Sequence, residues 1–250
     1  MRVPRLAIVL ALALAGCQTD SDGVTLNLTA LRQALRHRDR IGPAQTQWLT
    51  QALTPAQHND LGVFYERDGR LDDAARQYTR AILKDCGLAK AYVNLGNVRR
   101  KQGRAQDALL RYRQAMTLAP HDLAAVNNFA DLCADLGEHL DEAIALLSEA
   151  LNAQADANPY GLDTLGWLYH LAGQPERALP ALQAAAGSAG GDRALAATIQ
   201  YHLALVHAAL GRRGDAVQAA REAKQLGCTP GQAAELERAL GRPGDEAGGP

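Results

Sequence analysis

The sequence predicts an all-α chain, a stack of about five helix-turn-helix repeats with capping helices at both ends, and three observations carry that prediction. First, Leu61-Gly62, Leu95-Gly96, Phe129-Ala130, Leu165-Gly166 and Leu203-Ala204 recur at spacings of 34, 34, 36 and 38 residues. Second, further columns keep the same phase: Gly69, Gly103, Gly137, Gly173 and Gly211, then Ala74, Ala108, Ala143, Ala178 and Ala216, then Ala81, Ala115, Ala150, Ala185 and Ala223. Third, aromatic residues make up only 4% of the chain while alanine is abundant. That balance suits helices in close contact and fits strands poorly, since strands favour β-branched and aromatic residues. A lone helix pair cannot bury the face these columns define, so neighbouring repeats must stack.

The first element is a leader over residues 1–16. Arg2 and Arg5 give it a positive start, and the apolar run from Leu6 to Gly16 is too short to cross a bilayer as a helix. The run closes on Leu14-Ala15-Gly16-Cys17, which resembles the lipobox of bacterial lipoprotein precursors. The resemblance implies that Cys17 becomes the mature N-terminus, carrying a thioether-linked diacylglycerol and a third acyl chain on its amine. Two or more chains anchor a protein stably, whereas one does so only marginally. Gln18, rather than Asp, follows the cysteine, which by analogy with Gram-negative lipoproteins implies the outer membrane and a periplasmic orientation. Residues 17–24 then form a tether. Residues 25–54 are expected to hold N-terminal helices or a cap, with Leu28, Leu31 and Leu35 on one helical face.

The repeats are expected at 55–88, 89–122, 123–158, 159–196 and 197–230. In the second of them, Tyr92, Leu95, Gly96, Gly103, Ala108, Tyr112, Ala115 and Pro120 occupy the signature slots of the tetratricopeptide repeat, which the chain therefore resembles. The resemblance implies a right-handed solenoid. Gly96, Ala108 and Ala115 let helices approach closely. Gly103 serves the turn, where positive φ is cheap only for glycine, and Pro120 ends the second helix. The third repeat holds one extra residue between Gly137 and Ala143, and Gly187 to Asp192 lengthens the end of the fourth. Pro180 falls inside a second helix and predicts a local irregularity there. A capping helix is expected over 231–241 and a disordered tail over 242–250, where Gly, Pro and charge dominate.

No catalytic or metal-binding constellation stands out: there is no glycine-rich phosphate loop, no HExxH and no serine in a nucleophile elbow. No cofactor is implied. The seven histidines are scattered, and read as surface or packing residues. The formal charge of −1 becomes −3 once Arg2 and Arg5 leave with the leader, so no charge excess points to nucleic acid. Cys86, Cys133 and Cys228 match no zinc spacing and, being odd in number, cannot all pair with one another.

In this family the first helix of each repeat lines a concave groove. The matching slots here hold Asn59, Asn94, Asn97, Asn127 and Asn128, then Tyr160, Trp167, Leu171 and Tyr201 further on. Side-chain amides can pair with the backbone of an extended peptide, although asparagine at these slots is also typical of the family. The aromatics can anchor a partner, or Trp167 can pack against the neighbouring helix. A carboxylate clamp of the chaperone-binding kind would need cations where this chain has Val93, Tyr160 and Thr164, so none is expected. Charge is segregated as well. The second repeat carries Lys90, Arg99, Arg100, Lys101, Arg104, Arg111 and Arg113, while the third carries seven acids and no Lys or Arg. Attraction between adjacent repeats explains this, or a bipolar surface that orients a charged partner or a second copy. The layout of anchor and repeats resembles pilotin lipoproteins of type IV pilus assembly and repeat lipoproteins that organise peptidoglycan enzymes. The expected function is a membrane-anchored periplasmic scaffold for one or more envelope proteins. The alternative is an enzyme or accessory subunit in envelope polysaccharide or peptidoglycan metabolism.

Overall fold

The computed structural model describes residues 53–154 and 158–241, and the backbone of four residues near the N-terminus. The leader over 1–16, Cys17, the tail over 242–250 and the N-terminal helices or cap expected over 25–54, except Leu53 and Thr54, lie outside the described residues. Within the expected tether, Thr19–Asp20 (β1) pairs antiparallel with Gly23–Val24 (β2). All other regular structure among the described residues is helical, in two compact units divided after Leu118.

The first unit holds α1 (Pro55–Arg67), α2 (Leu71–Lys84), α3 (Ala89–Lys101) and α4 (Ala105–Leu118). A capping box starts α1: the Thr54 hydroxyl accepts from the Gln57 N–H, the Gln57 side chain accepts from the Thr54 N–H, and Pro55 fills the first position. Gly69 and Gly103 turn the chain between paired helices with φ of 73° at each. The pairs close tightly because their second helices press large side chains onto glycine. A Cβ on Gly96 would sit 2.5 Å from the Tyr112 ring, and one on Gly62 would strike Tyr78. Leu53, Leu61, Tyr65, Tyr78, Leu95 and Val98 form the core of this unit, and the Lys84 ammonium donates to the Leu53 carbonyl at 2.6 Å.

The second unit holds α5 (Leu123–Leu136), α6 (Leu140–Asn152), α7 (Pro159–Leu171), α8 (Pro175–Ser188), α9 (Arg193–Ala209), α10 (Arg213–Leu226) and α11 (Pro230–Leu240). Asp122, Asn158, Asp192 and Thr229 cap α5, α7, α9 and α11 with side-chain oxygens that accept from free N–H groups of the first turn. The extra residue between α5 and α6 is absorbed by a second left-handed residue, His139 at φ 56°, following Gly137 at φ 66°. Pro180 lies inside α8, which runs from Pro175 to Ser188 without interruption. It lies near the start of the helix on the exposed side, so the carbonyl it leaves unpaired belongs to the exposed Glu176 in the first turn. Leu182 of α8 closes onto Gly166 of α7, where a Cβ would sit 2.6 Å away. The last helix seals the unit through Leu236, which is fully buried.

Candidate protein-binding site

The first helix of each pair carries the side chains that sequence reasoning placed on a binding face. In the first unit, α1 and α3 are tied across that face: the Asn94 amide donates to the Asn59 side-chain oxygen at 2.8 Å. Asn59 is only 4% exposed, so its amide serves the contact between helices. Asn97 accepts from the Tyr112 hydroxyl at 2.8 Å. Glu66 joins three helices, accepting from Tyr78 at 2.9 Å and from Lys101 at 2.7 Å.

In the second unit α7 packs between α5 and α9, and its face is aromatic. Tyr160, Trp167 and Leu171 stand seven and eleven residues apart, at i, i+7 and i+11, which places them in one stripe about 16 Å long. Tyr160 is 54% exposed and Leu171 38%. Trp167, half-buried, packs against the neighbouring helix. Its ring stacks on His202 of α9 with centroids 4.4 Å apart, and on His170 of α7 at 5.1 Å. Tyr201 adds a tilted contact at 6.2 Å, but it is 6% exposed and its hydroxyl donates to Glu235 of α11 at 2.6 Å. Its place is thus beneath the face. Burial and the Glu235 carboxylate raise the Tyr201 hydroxyl above the ordinary phenol range.

Sequence reasoning missed the polar support of this cluster. His202 Nδ1 lies 2.8 Å from the buried Asp163 carboxylate, 39 residues away in the chain. The only signal was register, since Asp163, Trp167 and His202 fall on first helices one repeat apart. His170 Nδ1 is buried without a hydrogen-bond partner, and burial, assisted by nearby His202, lowers its pKa below the ordinary imidazole value. At the exposed end Tyr160 donates to Asp192 at 2.6 Å, raising its own pKa and lowering that of the carboxyl. On α5, Asn127 Oδ1 is buried with no partner, while its neighbour Asn128 is engaged. The exposed part of this face is therefore the apolar stripe of α7. Among the described residues no group of three His, Cys, Asp or Glu side chains could hold a metal ion, and no helix is long and apolar enough to cross a membrane.

The sequence profile of the tetratricopeptide repeat matches residues 93–160 and 164–233, more than half of the chain. The chain belongs to the tetratricopeptide-repeat family. Members of this family mediate contacts between proteins, so the polar and aromatic faces described above are those of a tetratricopeptide-repeat protein rather than of an isolated helical bundle. No curated protein matches the chain in sequence. Solved tetratricopeptide-repeat structures share its fold. A thermophilic member from Thermus thermophilus superposes with a TM-score of 0.57 at 20% identity, covering 75% of this chain and 99% of its own. PilW, described as a widely conserved type IV pilus biogenesis factor, gives 0.65 at 18% identity over 76% and 87%. YrrB, described as having an unusual peptide-binding site, gives 0.58 at 16% over 73% and 91%.

Proposed function

We propose that this tetratricopeptide-repeat protein is a non-enzymatic assembly scaffold, held on the outer membrane through a lipid on Cys17 and facing the periplasm. On this reading it takes a helix or extended peptide of an envelope protein along the first helices of its repeats. The observation that carries the reading is the stripe Tyr160–Trp167–Leu171 on α7. Two exposed large apolar side chains flank an indole whose ring is fixed between two imidazoles. A rigid aromatic anchor with apolar neighbours is the composition of an interface hot spot, because little side-chain freedom is lost on binding. The likeness in fold to PilW, a pilus biogenesis factor, and to YrrB, which has a peptide-binding site, supports assembly over catalysis.

Crosslinking in intact envelopes, followed by capture of the chain, tests the groove. Replacing Trp167 with Ala, or Leu171 with Asp, should remove the captured partners, with about 2 kcal/mol lost at an anchor. An unchanged partner set in both variants would sink the groove reading. The anchor is tested separately: Cys17→Ser should move the chain from the membrane to the soluble fraction and abolish labelling by a palmitate analogue. Continued sedimentation with membranes in that variant would exclude the lipid tether.

A further inference from the structure

In four of the five repeats, the residue four places beyond the Leu-Gly-type pair suits burial against the second helix. These are Tyr65, Cys133, Tyr169 and His207, and the second repeat alone has an arginine there, Arg99. Where tyrosine holds the position, a cation covers it: the Arg70 guanidinium lies 4.3 Å from the Tyr65 ring centroid and that of Arg177 4.2 Å from Tyr169. In the second repeat the counterpart of Arg70 is Arg104, so a cation stands beside a cation. Burial and the neighbouring Arg104 and Arg111 all work against the charge on Arg99 and lower its pKa, with Asp107 and Asp72 opposing them. Arg99 donates to a neutral amide, Gln102, at 2.8 Å, and Arg111 to another, Gln114, at 2.8 Å. Arg111 Nε is buried with no partner at all. A position that departs from its own repeat pattern at a cost in stability is a place to look for function.

Arg99 opens into a cleft of about 410 Å³, lined also by Asp72, Ala75, Arg76, Thr79 and Arg80 of α2. Three guanidiniums face it; Asp72 in its lining already accepts from Gln102 at 2.8 Å, and Arg76 pairs with Asp73 beside it, so three cations stand against two carboxylates and the cleft keeps a positive excess. Arg76 and Arg80 are one helical turn apart, about 6 Å along the axis. Alternate side chains of an extended peptide project to one side at a repeat of about 6.6 Å. The two spacings agree, and guanidinium forks bind carboxylates in bidentate fashion.

We propose that this cleft of the first unit, built from α2 and the end of α3, is a second binding site that takes an extended acidic peptide of a partner protein, with carboxylates on alternate residues held by Arg76, Arg80 and Arg99. Its residues are separate from the stripe on α7, so either site can fail without the other.

The full-length chain is titrated, at low and at physiological salt, with a fluorescent peptide bearing Glu at alternate positions and with its Gln counterpart. The Glu peptide should bind, weaken as salt rises, and outcompete the Gln peptide by about tenfold or more, as expected for paired charges. Arg99→Tyr, which restores the side chain of the first and fourth repeats, should leave the chain folded and at least as heat-stable while cutting affinity about tenfold. Arg80→Gln should cut it to a similar extent. Arg221→Gln, an equal loss of charge on the exposed face of α10, should not. Equal binding of the Glu and Gln peptides, full affinity in Arg99→Tyr and Arg80→Gln, or an equal loss in Arg221→Gln would each overturn the proposal.

Discussion

The two units use one helix-pair scaffold for opposite kinds of surface. In the unit ending at Leu118, α1 and α3 meet through the amide pair Asn59–Asn94, and α2 and the end of α3 are linked by Glu66, which accepts from Tyr78 and Lys101, and by Gln102, which donates to Asp72. In the unit beginning at Ala119, α7, α9 and α11 meet through rings: Trp167 on His202, with Tyr201 reaching Glu235. The tight parts are alike in both, since Gly96 accepts Tyr112 as Gly166 accepts Leu182. The difference teaches that close helix approach is fixed by a few small residues. The residues one turn away are released from packing duty and carry either charge or aromaticity.

The largest effects should come from the parts the units share. Tyr112→Ala is expected to cost about 4 kcal/mol and Leu182→Ala about 3 kcal/mol in urea unfolding, from lost burial and the cavity left behind. Tyr112 should be the costlier because Asn97 also loses its donor; a cost below that of Leu182→Ala would break the equivalence of the two closures. Next come the polar ties that differ. Asp163→Asn should destabilise by about 2 kcal/mol and Asn94→Ala by about 1 kcal/mol, because the first disturbs a buried partner of His202 and the second leaves one amide unpaired. Reversal of that order would show the amide pair to be the stronger joint. His139→Gly should stabilise the second unit by about 0.5–1 kcal/mol, since glycine adopts its φ of 56° without strain; a loss in heat stability would show that its contact with Glu142 matters more.

The shallowest effect is one of pH. His58 in the first unit and His170 in the second both have pKa values held below the ordinary 6.5, chiefly by burial. Between the lowered value and 6.5 the unfolded chain binds more protons than the folded one, so stability is full above pH 6.5 and falls as pH drops below it. His58→Gln and His170→Gln should each flatten that slope in chemical unfolding at pH 5 and pH 7.5. An unaltered slope in both would assign the acid sensitivity to carboxylates instead.

The helical class and the helix-turn-helix repetition were legible because glycine and alanine columns report steric demands that any neighbour must meet. Gly103 reads as a turn and has φ 73°; Gly96 reads as a close approach and meets the Tyr112 ring. Depth was less legible than face. Slot position puts Asn59 and Tyr201 on first helices, but their burial depends on partners 34 or 35 residues away, Asn94 and Glu235, which no local pattern names. The support under Trp167 was hidden for the same reason, since histidines look scattered until Asp163 and His202 are brought together. Pro180 reads as an interior proline and is one: as the sixth residue of α8 it removes the bond to the carbonyl of the exposed Glu176, which solvent can satisfy.

The ties described above have a common reach. Asn59 to Asn94 spans 35 residues, Glu66 to Lys101 35, Tyr160 to Asp192 32, and Tyr201 to Glu235 34. Each joins the first helix of a pair only to the helix that follows that pair, or to its cap, so closing any of these contacts fixes a loop of about one repeat length and no more. Such a chain can begin to fold at whichever pair forms first and extend from there. It also has a simple route to a longer form: a duplicated repeat would find its partners already waiting on either side.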